Sequence, residues 1–248
     1  MRNKLILFCI FVVITSSLMA NFNISEANQA YQQQNYEKAL ELYQKIVDEG
    51  VNNFTLFYNL GNVYFKLGEI AKARLYYERA AKYEPLNSDL QHNLNLIKSN
   101  LKDEEISDKG IFNRLFFKIF YFLSINTLGI LVLIFFIILM LLISGMIAYS
   151  KKEKKNILKI LIIIISVFFV ISIILTISRL IVFNKQSSAV IMDDTVLAYS
   201  GPNKNFQQVF TVHSGLKVEI EQRNENWMLI KLPSGLGGWI PRNSLERI

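Results

Sequence analysis

Hydrophobic positions along this chain follow three different patterns, and the boundaries between them divide it into regions. From Ile119 to Ser150 no charged residue occurs in 32 positions, where about 20 suffice to carry a helix across a bilayer core. A second uncharged run of 19 residues, Ile160 to Ser178, follows the segment Lys151-Lys152-Glu153-Lys154-Lys155. Two such runs joined by lysines predict a membrane hairpin, with spans at 127–149 and 160–182 around a basic loop at 150–159. Arg179, near the end of the second run, is expected to snorkel its guanidinium toward the headgroups.

Ahead of the hairpin the apolar positions take a helical spacing, and the segment from Phe22 to Leu101 is self-similar at a period of 34. Tyr36, Ala39 and Tyr43 recur as Ile70, Ala73 and Tyr77. The copy at 54–87 resembles the tetratricopeptide repeat, a pair of antiparallel helices, through Phe57, Leu60, Gly61 and Tyr64, then Ala73, Tyr77, Ala80 and Pro85. Gly61 and Ala73 are small where the two helices must cross closely. The copy at 22–53 departs from the pattern, with Ala27 and Ala30 where Gly and Tyr are usual. A helix at 88–101, with Ser88 as its expected N-cap and Leu90, Leu94, Ile97 and Leu101 on one face, is read as a cap on the solenoid. Such repeats imply a partner-binding groove. Its expected lining is Asn28, Tyr31, Gln32, Tyr58, Asn62, Phe65, Lys66 and His92. Residues 102–126 read as an acidic linker followed by an interfacial segment, in which Arg114 and Lys118 punctuate an apolar helix.

After the hairpin, short β-prone runs alternate with turn residues. Five strands are expected, at 189–192, 195–198, 217–222, 227–232 and 238–240, in a small barrel over 187–248. Trp227 and the run Gly238-Trp239-Ile240-Pro241-Arg242-Asn243-Ser244-Leu245 resemble the end of an SH3 barrel of the bacterial kind found on envelope proteins. Ser244 stands where SH3 domains that grip proline-rich helices carry an aromatic. The resemblance therefore implies a peptide groove built from Tyr199, Trp227 and Pro241, without proline-rich recognition. Trp239 is assigned to the barrel core.

Charge changes the picture in one respect. A formal charge of +7 and a pI of 9.3 would by themselves suggest nucleic acid as a partner. Yet residues 21–108 hold 9 basic and 13 acidic groups, and residues 187–248 hold 6 of each. The excess lies at the amino terminus and around the apolar runs, which is a membrane-topology signature and excludes nucleic acid. The short lysine-rich joint is expected on the cytoplasmic side, leaving the repeats and the barrel outside. Residues 1–20 agree, reading as a signal peptide with Arg2 and Lys4 before an apolar run, either cleaved after Ala20 or retained as an anchor. The single cysteine, Cys9, lies within that run, so cysteine nucleophiles, disulfides and cysteine metal sites are not expected beyond it. His92 and His213 have no metal-ligand spacing, and there is no phosphate-binding glycine loop. No enzyme activity, metal or other cofactor is expected.

The order of signal, repeats with a cap, two-span hairpin and SH3-like barrel is similar to the E-type proteins of the Bacteroides aerotolerance (Bat) operon. The phrase Leu75-Tyr76-Tyr77-Glu78-Arg79-Ala80, with Asn93-Leu94 after Pro85, carries that resemblance in the repeats. It implies a protein of the bacterial cytoplasmic membrane, contacting lipid, with its repeats and barrel on the periplasmic side. Its partners would be other membrane proteins with von Willebrand factor A domains, in envelope stress or oxygen tolerance. A cell-wall module, whose barrel binds peptidoglycan stem peptides while the repeats recruit a wall enzyme, remains the alternative.

Overall fold

The computed structural model describes residues 24–104, 111–148, 152–185 and 187–248. The expected signal peptide, Cys9, Lys109 and Lys151 lie outside these residues. Two compact units are formed, one from the two ends of the chain, up to Lys109 and from Ser187 on, and the other from Gly110–Gln186.

In the first unit the amino-terminal part is all helical. Helix α1 covers residues 24–32, followed by α2 (Tyr36–Asp48), α3 (Phe54–Lys66), α4 (Ile70–Tyr83) and α5 (Ser88–Ser99). Side chains three and four apart converge on one core, where Tyr43, Leu56, Leu60, Tyr77, Leu90 and Ile97 are almost fully buried. The 34-residue period extends to the caps. Asn53 and Asn87, one period apart, each accept a hydrogen bond from the backbone N–H three residues on, at 2.9 and 3.2 Å. The N-cap of α5 is therefore Asn87. Ser88, expected in that role, is the first helical residue, and its hydroxyl reaches only the Asp89 carboxylate. Gly61 sits where α3 meets α4, and a Cβ built there would lie 2.4 Å from Cδ1 of Tyr77. The pair can approach this closely only because the side chain is hydrogen.

The carboxy-terminal part is a seven-stranded antiparallel sheet: β1 (Ser188–Ile191), β2 (Thr195–Tyr199), β3 (Gln208–His213), β4 (Lys217–Arg223), β5 (Trp227–Lys231), β6 (Gly237–Pro241) and β7 (Leu245–Arg247). Its order is β3-β2-β6-β5-β4-β1-β7. Two strands, β3 and β7, add to the five expected. The first has no clean alternation, its residues running from exposed through half-buried with Val212 alone buried, and the second spans three residues after a 3-10 turn, too short for a periodic signal. Ala189, Ile191, Val218, Met228, Ile230 and Ile240 fill the interior.

Trp239 is not part of that core. Gly238 and Ile240 take the inward positions of β6, so alternation turns Trp239 to the other face, half-buried beside its cross-strand neighbours Tyr199 and Leu229. Gly238 remains small because Ala198 and Phe210 lie 3.0 Å from any Cβ there.

The second unit holds α6 (Ile111–Tyr121), α7 (Ile125–Ala148) and α8 (Lys152–Asn184). Helices α7 and α8 are long and apolar enough to cross a membrane. They pack on each other, with ring pairs Phe135–Phe168 and Phe136–Phe169 at 6.2 and 6.3 Å, while most of their Ile and Leu side chains stay exposed. Such exposure suits hydrocarbon as solvent rather than water. Ser124 opens α7 by accepting from the Thr127 N–H at 3.1 Å, two residues before the expected start. The basic segment after Lys151 is helical from Lys152, because nothing in Lys-Glu-Lys-Lys breaks a helix, and α8 simply runs through it. Arg179, near the end of α8, is covered by α6. Its guanidinium lies over the rings of Tyr121 and Phe120, at 4.0 and 5.4 Å, and the residue is buried.

Candidate functional site

The barrel carries an open groove of about 800 Å³. Strand β2 contributes Leu197 and Tyr199, the turn before β5 contributes Glu225 and Asn226, and β6 with the following turn contributes Pro241 to Ser244. Trp227 and Pro241 are cross-strand partners, and the Trp227 ring meets Tyr199 edge-on at 5.7 Å and 87°. All three aromatic and proline positions named from the sequence thus lie in one groove, each half-buried. The turn is held rigidly: Asn224 N–H donates to the Trp227 carbonyl and Arg242 N–H to the Asn226 carbonyl, both at 2.9 Å. Ser244 is buried, its hydroxyl donating to the Pro241 carbonyl at 2.6 Å, so it shapes the turn and offers no aromatic wall. Around this floor stand Asp193 and Glu225, and opposite in charge Lys204 and Arg242. A rigid aromatic floor with charges of both signs can take an extended peptide carrying an ammonium and a carboxylate.

The residues expected to line a groove in the repeats are more heavily committed to the fold than their sequence indicates. Asn28 accepts from the Tyr43 hydroxyl and from Asn59 Nδ2, the latter at 3.0 Å. One period on, Asn62 accepts from the Tyr77 hydroxyl at 2.7 Å and from Asn93 Nδ2 at 3.2 Å. These asparagines tie consecutive helices together. Asn59 and Asn93, which the 34-residue spacing links, are not among the residues expected in the groove. Burial pushes the Tyr43 phenol up to about 12 and raises that of Tyr77 as well, so both stay neutral donors near neutral pH. Tyr31, Tyr58 and Phe65 are half-buried and pack against the repeat core; Tyr31 meets Tyr36 edge-on, and Tyr58 stacks on Phe54. Gln32, Lys66 and His92 are exposed.

Among the described residues no group of three His, Cys, Asp or Glu side chains is placed to hold a metal ion. His213 is engaged with Asp103, whose two carboxylate oxygens take its backbone N–H at 2.6 Å and its Nδ1 at 2.9 Å.

Comparison with known families gives two regional matches. Residues 54–87 match the tetratricopeptide repeat, and residues 192–246 match the bacterial SH3 domain. No curated protein matches the chain. The chain therefore combines a helical region carrying a tetratricopeptide repeat, two long apolar helices and an all-β bacterial SH3 domain. Domains of these two kinds are typically interaction modules without catalysis of their own, and no enzyme family matches.

Proposed function

We propose that this chain is a non-enzymatic assembly protein anchored in the bacterial cytoplasmic membrane, whose repeats and barrel hold partner segments on the periplasmic side. The observation that carries this reading is the groove of Tyr199, Trp227 and Pro241, an aromatic floor on a rigid turn with charged residues around it. The tetratricopeptide and bacterial SH3 matches support binding of protein or peptidoglycan peptides in general. The order of the regions further supports a Bat-type envelope complex, with membrane proteins bearing von Willebrand factor A domains as partners. Orientation follows the lysines between the two spans, which favour the cytoplasm. A second reading, cell-wall attachment, is favoured by the two charge signs around the groove, since stem peptides carry both ammonium and carboxylate groups.

The test is purification of the tagged full-length protein from its native membranes, with and without Trp227→Ala, alongside retention on purified sacculi. Co-purified membrane proteins that disappear with Trp227→Ala support the assembly reading. Sacculus retention that depends on Trp227, with no membrane protein recovered, favours the wall. Equal behaviour of the variant in both assays removes the groove from either role.

A further inference from the structure

The sheet and the helices of the first unit each have a buried face that their own core does not explain. On β1, Ala189 and Ile191 point into the barrel, yet Val190 between them is also 0 % exposed and lies outside the barrel's hydrophobic cluster. On α4, Leu75 and Arg74 are 0 % exposed, and Leu75 lies outside the repeat cluster. Ala71, Arg74, Leu75, Glu78 and Arg79 form one stripe at helical spacing. These two faces are packed together, α4 against β1.

Cross-strand register explains the ion pairs around this contact. Val190 is paired with Lys217 on β4 and with Glu246 on β7, so Lys217, Val190 and Glu246 form a row across the outer face of the sheet. The Lys217 ammonium donates to Glu78 at 2.6 Å, and Glu78 also takes Arg74 Nε at 2.9 Å. At the other end of the row, Arg79 donates to the Glu246 carboxylate and to the Arg247 carbonyl, each at 2.9 Å. Beyond α5, Asp103 holds His213, and the Leu101 side chain lies where a Cβ on Gly215 would be, at 2.7 Å. The apolar contact of Val190 and Leu75 thus lies beside a buried Arg74–Glu78 pair that Lys217 reaches from its partly exposed edge, with Arg79–Glu246 at the opposite edge.

We propose that the outer face of α4 is the docking surface for the chain's own barrel, so that the two domains flanking the membrane hairpin act as one recognition unit, locked by the Glu78–Lys217 and Arg79–Glu246 pairs. Three consequences follow. Both domains lie on the same side of the membrane. The stripe on α4 is not available to a partner, which leaves the first-helix face of the repeats, with Gln32, Lys66 and His92. The barrel's stability depends on residues of the repeats.

The last consequence gives the test, because both tryptophans of the chain, Trp227 and Trp239, are in the barrel. Tryptophan fluorescence of the full-length protein in detergent micelles therefore follows barrel unfolding alone. Arg79→Glu, at a partly exposed position of the repeats, should lower the barrel melt by about 4 °C or more. Glu246→Arg should do the same, and the double reversal should recover at least about half of the loss. Leu75→Lys separates docking from a free helix face: on a solvated face lysine is harmless, whereas in this joint it should lower the barrel melt by a similar amount. The proposal is overturned if either Arg79→Glu or Leu75→Lys leaves the barrel melt within about 1 °C of wild type, or if the double reversal recovers nothing.

Discussion

Replacing Gly61 with alanine adds one methyl group at a close helix crossing in the repeats. Its Cβ would meet Cδ1 and Cε1 of Tyr77 at 2.4 and 2.5 Å, well inside contact distance. The ring has little room to retreat, since Tyr77 is 1 % exposed, its hydroxyl donates to Asn62 at 2.7 Å, and Tyr58 flanks it at 5.8 Å. Overpacking of this kind costs about 1 to 3 kcal/mol, and moving the ring far enough to lose its hydrogen bond adds about 1. Alanine's better helix propensity returns about 1 kcal/mol. The net expectation is a loss of about 2 kcal/mol, a large share of what so small a solenoid holds. Amide hydrogen exchange of the full-length protein resolves the repeats from the membrane helices, and protection in α3 and α4 should fall roughly 30-fold, each 1.4 kcal/mol being tenfold. Adding Tyr77→Leu to Gly61→Ala should restore part of it by removing the clashing ring. Unchanged or increased protection in Gly61→Ala would mean that propensity outweighs packing and that the crossing is loose.

Three further outcomes follow from the geometry. Burial alone would push the Glu78 carboxyl up, but the Lys217 ammonium and the Arg74 guanidinium, with Lys98 further off, outweigh it and hold it down at about 2 against an ordinary 4.5. A depressed carboxylate adds stability that is complete above the unfolded value and is lost as pH falls toward 2, so the unfolding free energy followed by tryptophan fluorescence should drop between about pH 5 and 2 by up to roughly 3 kcal/mol, and Glu78→Gln should flatten that dependence. Trp239→Ala, on the outer face, should cost the barrel less than Ile240→Ala, whose fully buried side chain is worth about 2 to 5 kcal/mol; denaturant melts of the two variants that rank the other way would return Trp239 to the core. A cysteine at Asn53 or Asn205 should react with an impermeant thiol reagent in intact spheroplasts and one at Asn156 should not, and labelling at Asn156 alone would invert the orientation.

Much of this architecture is written in local patterns. Uninterrupted apolar length marks α7 and α8, the 34-residue period marks the paired helices, and turn residues mark most of the strands, because each depends on neighbours within a few residues or one repeat. The groove residues Tyr199, Trp227 and Pro241 were legible through resemblance, and their meeting in one cleft depends on β2, β5 and β6 being adjacent. Other features were decided by packing alone. Trp239 was assigned to the core on its size, but strand alternation with Gly238 and Ile240 turned it outward. The cover over Arg179, two rings of α6, comes from outside its own helix. Asn28 and Asn62 look like groove residues until their tyrosine and asparagine partners from neighbouring helices are in place. The docking of α4 on β1 is the extreme case. Leu75, Glu78 and Arg79 read as an ordinary helix face and Lys217 and Glu246 as ordinary strand charges, since the Glu78–Lys217 and Arg79–Glu246 pairs join residues more than a hundred positions apart, across the membrane hairpin, where no local period carries a signal.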